Sequence, residues 1–150
     1  MKYLKKKSVQ IDGNDIAIRQ LSGLERFEFF EFLSSLEEPA IPIRPRVDEL
    51  SEKQQKDYQD ALQASEFAWK KITYLGQSRL VAYGLVDDEL SDDIDERHET
   101  VKQWFSDTAI AQLHDEIALL SGMTIELDDS DVSTVPKEGE TSDVSMDPKP

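Results

Sequence analysis

The sequence predicts a mainly α fold opened by one β-hairpin, a small α+β domain of four or so helices built around a long central helix. Three observations predict it: β-branched residues alternating about an Asp-Gly turn near the N-terminus, apolar residues spaced by threes and fours from about residue 22 to 121, and an abrupt loss of apolar character after Met123. With 150 residues, 38% hydrophobic and 8% aromatic, the chain supports one modest core and not two full domains. The folded domain is expected over 1–123 and a disordered acidic tail over 124–150.

The hairpin is expected over about 3–21. Val9 and Ile11 precede Asp12-Gly13-Asn14-Asp15, and Ile16 and Ile18 follow it. The Asp-Gly pair supplies the positive φ of a tight turn, and period two places the four β-branched residues on one buried face, prolonged outward by Lys5 and Lys7. A first helix is expected over about 22–37, because Ser22-Gly23-Leu24-Glu25 has the spacing of a capping box. Phe29, Phe30, Phe32, Leu33 and Leu36 fall in one arc of it, with Leu24 and Phe27 left to cover the hairpin, which would make this segment the centre of the core.

Pro39, Pro42 and Pro45 end that helix and open an extended connector with Ile41, Ile43, Arg44 and Arg46. It reads either as a loop pinned to the surface by its isoleucines or as a docking segment. A long helix is expected over about 51–85, with the stripe Tyr58, Leu62, Ser65, Trp69, Ile72 and Tyr83 and with Gly76 as a weak point or a close-packing site. The apolar run Leu80 to Val86 exceeds what one face requires, so tertiary packing and a subunit interface both fit it. Eight acids and a lone Arg97 between Asp87 and Glu99 read as a solvated loop plus a helix N-terminus. A helix over about 93–105 follows, built on Ile94, Val101, Trp104 and Phe105. A last one over about 107–121 is capped by Ser106 or Asp107, carries the stripe Ile110, Leu113, Ile117 and Leu120, and ends at Gly122.

From Thr124 to Pro150 there are eight acids, two lysines, three prolines and no aromatic residue, too little apolar surface to offset chain entropy. Overall 32 acids face 17 bases, and the net charge of −15 opposes contact with nucleic acid and with anionic membranes. No apolar run reaches a membrane span, and the basic start, Met1 to Lys7, lacks the apolar stretch of a secretory signal. The absence of cysteine excludes disulfides and thiolate chemistry. A cytoplasmic setting is expected.

Catalytic motifs are wanting: His98 and His114 stand in different helical segments without a zinc, nucleophile-elbow, P-loop or dinucleotide pattern. His114, at the edge of the last helix's stripe, reads as structural or exposed. Asp92-Asp93-Ile94-Asp95-Glu96 is the best cation candidate, but it lacks the EF-hand glycine, and only adventitious binding is expected. No enzyme activity, catalytic residue, cofactor or metal site is therefore expected; the composition describes an interaction protein.

Leu21-Ser22-Gly23-Leu24-Glu25-Arg26-Phe27-Glu28 after a hairpin, Trp104 shortly before Ala109-Ile110, and Leu120-Ser121-Gly122-Met123 before an acidic tail resemble the minor tail protein G family, the tail assembly chaperones of lambda-like long-tailed bacteriophages. The resemblance covers roughly 1–36 and 100–123. It implies a protein that coats the phage tape measure protein in the host cell cytoplasm, keeps it soluble, leaves as the tail tube forms, and is absent from the mature virion. It also implies a longer form, made by a programmed ribosomal frameshift one nucleotide backwards, that recruits the tail tube protein. Val135-Pro136-Lys137 and Asp147-Pro148-Lys149 can each be encoded by a slippery heptamer, which makes Pro136, Lys137, Pro148 and Lys149 the candidate frameshift residues.

Phe29, Phe32, Leu36, Ile41, Ile43, Trp69, Ile72 and Tyr83 are the candidate partner-binding residues, with the core as the competing role for the aromatics, and self-association is a further possibility. The alternative function is an acidic mimic of nucleic acid that inhibits a host nuclease or DNA-binding protein. Fourteen of the 32 acids lie in the tail or between Asp87 and Asp95, which argues against an ordered, phosphate-like array.

Overall fold

The alternating start forms an antiparallel hairpin, β1 (Lys6–Ile11) and β2 (Asn14–Arg19), in a computed structural model that describes residues 2–123. Its loop is tighter than the four residues expected. Asp12 at φ +50° and Gly13 at φ +81° make a two-residue turn, and Asn14 already pairs with Ile11. Val9 pairs with Ile16 and Lys7 with Ile18, so the four β-branched residues share one face; Ile16 is half-buried and the other three are buried. Lys7, on the outer end of that face, reaches Glu116 at 2.9 Å.

Helix α1 (Gly23–Ser35) starts with both halves of the expected capping box: Ser22 Oγ accepts from the Glu25 N–H and the Glu25 carboxylate accepts from the Ser22 N–H. It is not the centre of the core. Phe29 is its one buried residue, while Leu24 and Phe27, expected over the hairpin, are 69% and 72% exposed. An ion pair takes the place of that apolar cover: Arg19 at the end of β2 holds Glu25 through two bonds of 2.7 Å. Two further bonds tie the start of α1 to Ser121, far along the chain, from the Leu21 N–H to Ser121 Oγ and from Arg26 to the Ser121 carbonyl.

The connector is extended as expected, but its isoleucines do not pin it. Ile41 and Ile43 are 77% and 85% exposed, and the connector is instead tied by Ser65 Oγ donating to the Ala40 carbonyl. Helix α2 (Glu52–Gly84) begins with a second capping box, Ser51 with Gln54, and its 33 residues span about 50 Å. Up to Leu75 none of it is fully buried; from Gly76 to Leu85 every residue but Gln77 is. The apolar excess at Leu80 to Leu85 is therefore tertiary packing. The β2 edge bonds alongside it, with an Ile18–Leu85 bridge and the Val86 N–H donating to the Ala17 carbonyl, and helices close the other sides.

Helix α3 (Ile94–Trp104) is capped by Asp93 and α4 (Asp107–Leu120) by Ser106. Ile110, Leu113 and Ile117 of the α4 stripe have no exposed surface, and Leu120 is half-buried. Arg97, alone among acids in the sequence, turns back to the end of α2, where it donates to the Ala82 and Leu85 carbonyls at 2.8 and 2.6 Å. None of the described helices is long and apolar enough to cross a membrane. The expected tail and both candidate frameshift positions lie outside the described residues.

Candidate functional site: apolar grooves along the long helix

Gly76 is the close-packing site of the two roles expected for it. A Cβ there would lie 3.1 Å from Leu33 Cδ2, so α1 settles against α2 at this point. On one flank of the crossing a groove of about 670 Å³ opens between three helices. Phe29, Phe30 and Leu33 of α1 form one wall and Ile72, Gly76 and Leu80 of α2 the floor. His114 and Ala118 of α4, with Met123 just beyond it, form the other wall.

A second groove, of about 1010 Å³, lies further along α2, between Ile41 and Pro42 of the connector, Leu62 and Trp69 of α2, and Thr108 and Ala111 of α4. Thr73 and Gln77 border both, so the two are neighbours on one side of the helix. Between Pro39 and Leu75 six bases balance six acids, which makes this arm neutral in a strongly acidic chain. An apolar partner can approach it without general repulsion, while the remainder keeps the particle dispersed.

Of the eight candidate partner residues, Phe29, Ile41, Trp69 and Ile72 line these grooves. Ile43 stands exposed on the connector and Leu36 is half-buried at the end of α1. Phe29 and Tyr83 are only 5% and 4% exposed, which places both in the core, Phe29 where the core meets the first groove. Phe32 is half-buried against the Arg79 guanidinium, 4.4 Å from its ring centre, and against His98. Phe30 and Leu33, the exposed wall of the first groove, were legible only as members of the α1 stripe; which of its arcs stays open depends on where Gly76 admits the helix.

Beside Phe32 lies a polar network that motif reading did not find. Arg79 reaches Asp95 at 2.8 Å and His98 Nδ1 at 3.4 Å, and His98 Nε2 lies 2.7 Å from Ser78 Oγ. Since arginine can only donate, the network assigns His98 the neutral form with its proton on Nε2, given to Ser78, whose hydroxyl in turn donates to the Leu75 carbonyl. Burial above all, with the charges of Lys102 and Arg79 outweighing those of Glu99 and Asp95, lowers the His98 pKa to about 4. The unfolded chain binds this proton near 6.5 and the folded one near 4, so stability is present above the first value and declines towards the second. Unfolding in urea at pH 7 and pH 4.5 is expected to show a loss on the order of 2 kcal/mol, a slope that His98→Gln flattens.

The acids proposed for adventitious cations are spent separately: Asp93 caps α3, Asp95 pairs with Arg79 and Glu96 accepts from Ser91. His114 pairs with its neighbour Asp115 at the groove edge.

Hairpin, long helix and open apolar grooves on an acidic chain define a class: a small, mainly helical protein that leaves apolar grooves open along its long helix. Its family follows from comparison. The model of the bacteriophage lambda tail assembly chaperone, TAC, protein G, matches residues 2–141, and the chain belongs to that family. The match runs through the connector and the acidic stretch as well as through the two ends where the resemblance is legible. No curated protein and no solved structure matches the chain.

Proposed function

We propose that the protein coats the tape measure protein during tail assembly, seating an amphipathic segment of it in the groove between α1, α2 and α4. The observation that carries this reading is the groove itself, lined by Phe30, Leu33, Ile72 and Ala118 and open to solvent beside a charge-neutral arm. A tape measure helix outside the tail tube exposes apolar stripes that aggregate; many copies, each binding weakly, shield it along its length. The charge of −15 on each copy keeps the coated assembly dispersed. Tube subunits competing for the same stripes then release the coat, so that it works in the host cytoplasm and is left out of the virion. A longer frameshifted form, begun at Asp147-Pro148-Lys149 or Val135-Pro136-Lys137, would bring the tail tube protein to the complex.

Co-expression with the tape measure protein of the same phage tests this reading. The tape measure is expected in the soluble fraction, co-purifying with several copies of the chain. Phe30→Asp with Leu33→Asp is expected to weaken retention at least about tenfold, the loss of two well-placed apolar anchors. Tyr3→Asp, at a residue 86% exposed and away from the groove, is expected to change nothing. A tape measure that stays insoluble beside the unaltered chain, or stays soluble beside the groove variant, overturns the assignment.

A further inference from the structure

Two exposed patches of opposite charge stand outside the first groove. One is the outer side of α1, where Leu24 and Phe27 are exposed and Phe27, Phe30, Glu31, Ser34 and Ser35 line an open hollow of about 620 Å³. The two serine hydroxyls are spent on their own helix, Ser34 Oγ donating to the Phe30 carbonyl at 3.0 Å and Ser35 Oγ to the Phe32 carbonyl at 2.6 Å. The hollow between the phenylalanines is therefore ready for an apolar side chain. Its surroundings are acidic. From Gly23 to Glu38 five acids face the single Arg26, and among the described residues only Glu25 of the five is in an ion pair.

The other patch is the connector. Ala40 to Val47 holds Arg44 and Arg46 and no acid, and Ile43 and both arginines are exposed. Neither arginine forms an ion pair among the described residues. Pro42 and Pro45 restrict the backbone to extended or polyproline II conformations, so little freedom is lost when the segment is bound. Pro42-Ile43-Arg44-Pro45 also has the spacing with which proline-rich segments enter aromatic-lined grooves. At three residues per turn Ile43 and Arg46 share a side, about 9 Å apart, an apolar anchor followed by a cation. The two patches do not meet within one copy: Ser65 of α2 holds the connector at Ala40, and Ile43 and Phe27 both stay exposed.

We propose that the connector of one copy docks on the outer side of α1 of a second copy, with Ile43 in the hollow beside Phe27 and the arginines against Glu28 and Glu31. Complementary charge selects this occupant: the connector is a basic, apolar segment of an acidic chain, and the hollow is an apolar site with an acidic rim. Donor and acceptor are different surfaces, so the contact is heterologous and repeats head to tail. The patches are small beside the roughly 1,000 Å² of a stable interface, and free copies pair weakly. Copies gathered on one tape measure protein pair more readily, because the shared support raises their effective concentration. That last step rests on the function proposed above; the pairing itself does not.

Amide spectra of the isotope-labelled full-length chain, alone in solution from high to low concentration, test the pairing. Shifts that vanish on dilution are expected at both patches, from Phe27 to Ser35 and from Ile43 to Arg46, while Val9 and Ile18 of the hairpin hold still. Phe27→Asp and Ile43→Asp, both at exposed positions, are each expected to abolish both sets of shifts. Mixing the two variants restores one contact: shifts return at the connector of the Phe27→Asp copy and at α1 of the Ile43→Asp copy. Shifts that are absent at the highest concentration, confined to one patch, or not recovered in the mixture overturn the proposal. Neither Phe27 nor Ile43 lines the apolar grooves along α2, and no tape measure protein is in the sample. A tape measure kept soluble by a chain that shows no such shifts therefore removes the pairing and leaves the proposed function standing.

Discussion

Glu25→Ala is expected to destabilise the fold by about 3–5 kcal/mol, the usual cost of breaking a buried ion pair by removing one partner. Arg19 is 7% exposed, and both its terminal nitrogens bond to Glu25 at 2.7 Å. With the carboxylate gone the guanidinium stays buried, left among the described residues with the Gln20 carbonyl at 3.1 Å. Arg97 lies near enough that the Arg19 charge, after burial, contributes to lowering its pKa, so Glu25 also moderates a repulsion between two arginines. The same residue closes the capping box of α1, whose first turn loses an acceptor. Burial pushes the Glu25 carboxyl pKa up, but the Arg19 and Ser22 bonds outweigh it, and the net shift is downward. Its contribution is thus present above the ordinary carboxyl range and lost as pH falls through the lower folded value. Urea unfolding of single and double variants checks the origin of the loss. Arg19→Met with Glu25→Leu should be much milder than Glu25→Ala, because it removes the buried charge along with its partner. A double variant as unstable as the single one would locate the loss in the capping box instead.

Where the signal was local, sequence and structure agree. The Asp12-Gly13 turn, the Ser22–Glu25 box, the Ser106 cap and the Ile110, Leu113, Ile117 stripe each depend on residues within a few positions of one another. The role of α1 was not local. Leu24, Phe27, Phe29, Phe30, Phe32, Leu33 and Leu36 leave it almost without a polar face, so its own pattern does not select the arc to be buried; the Arg19–Glu25 pair and the gap at Gly76 do. The run from Leu80 to Leu85 reads as surplus for one helix face, but β2 and three helices surround it. Trp69, Ile72 and Ile41 stood out as candidate partner residues because they are apolar side chains on an otherwise polar helix or connector, but that they line grooves was not legible. Phe30 and Leu33 were masked by apolar neighbours, and His98 by the lack of any motif linking it to Ser78 and Arg79, about twenty residues away.

Gly84→Val is expected to cost about 3 kcal/mol or more and Gly84→Ala about 1–2 kcal/mol, as overpacking where Gly84 lets α4 close on α2. A Cβ at this position would lie 2.6, 2.7 and 2.9 Å from Cγ2, Cδ1 and Cγ1 of Ile117. The Ile117 side chain has no exposed surface, and its branching at Cβ leaves little rotamer freedom for retreat. The preference of helices for alanine over glycine, about 1 kcal/mol, offsets part of the smaller substitution and none of the steric demand of the larger. Relief should come from the other helix. Ile117→Ala alone costs about 2–5 kcal/mol by opening a cavity, and combined with Gly84→Ala the new methyl fills part of that space. The pair should therefore cost less than the sum of its members, by about 0.5–3 kcal/mol in a thermodynamic cycle. Strict additivity would mean that the helices separate rather than repack. In that case the neighbour of Ile117, Ala118, moves with α4, and the wall it gives the apolar groove moves too. Gly84→Ala, still folded, would then lose the retention proposed for the tape measure protein although residue 84 does not line the groove, which ties the close packing of two helices to the width of the site.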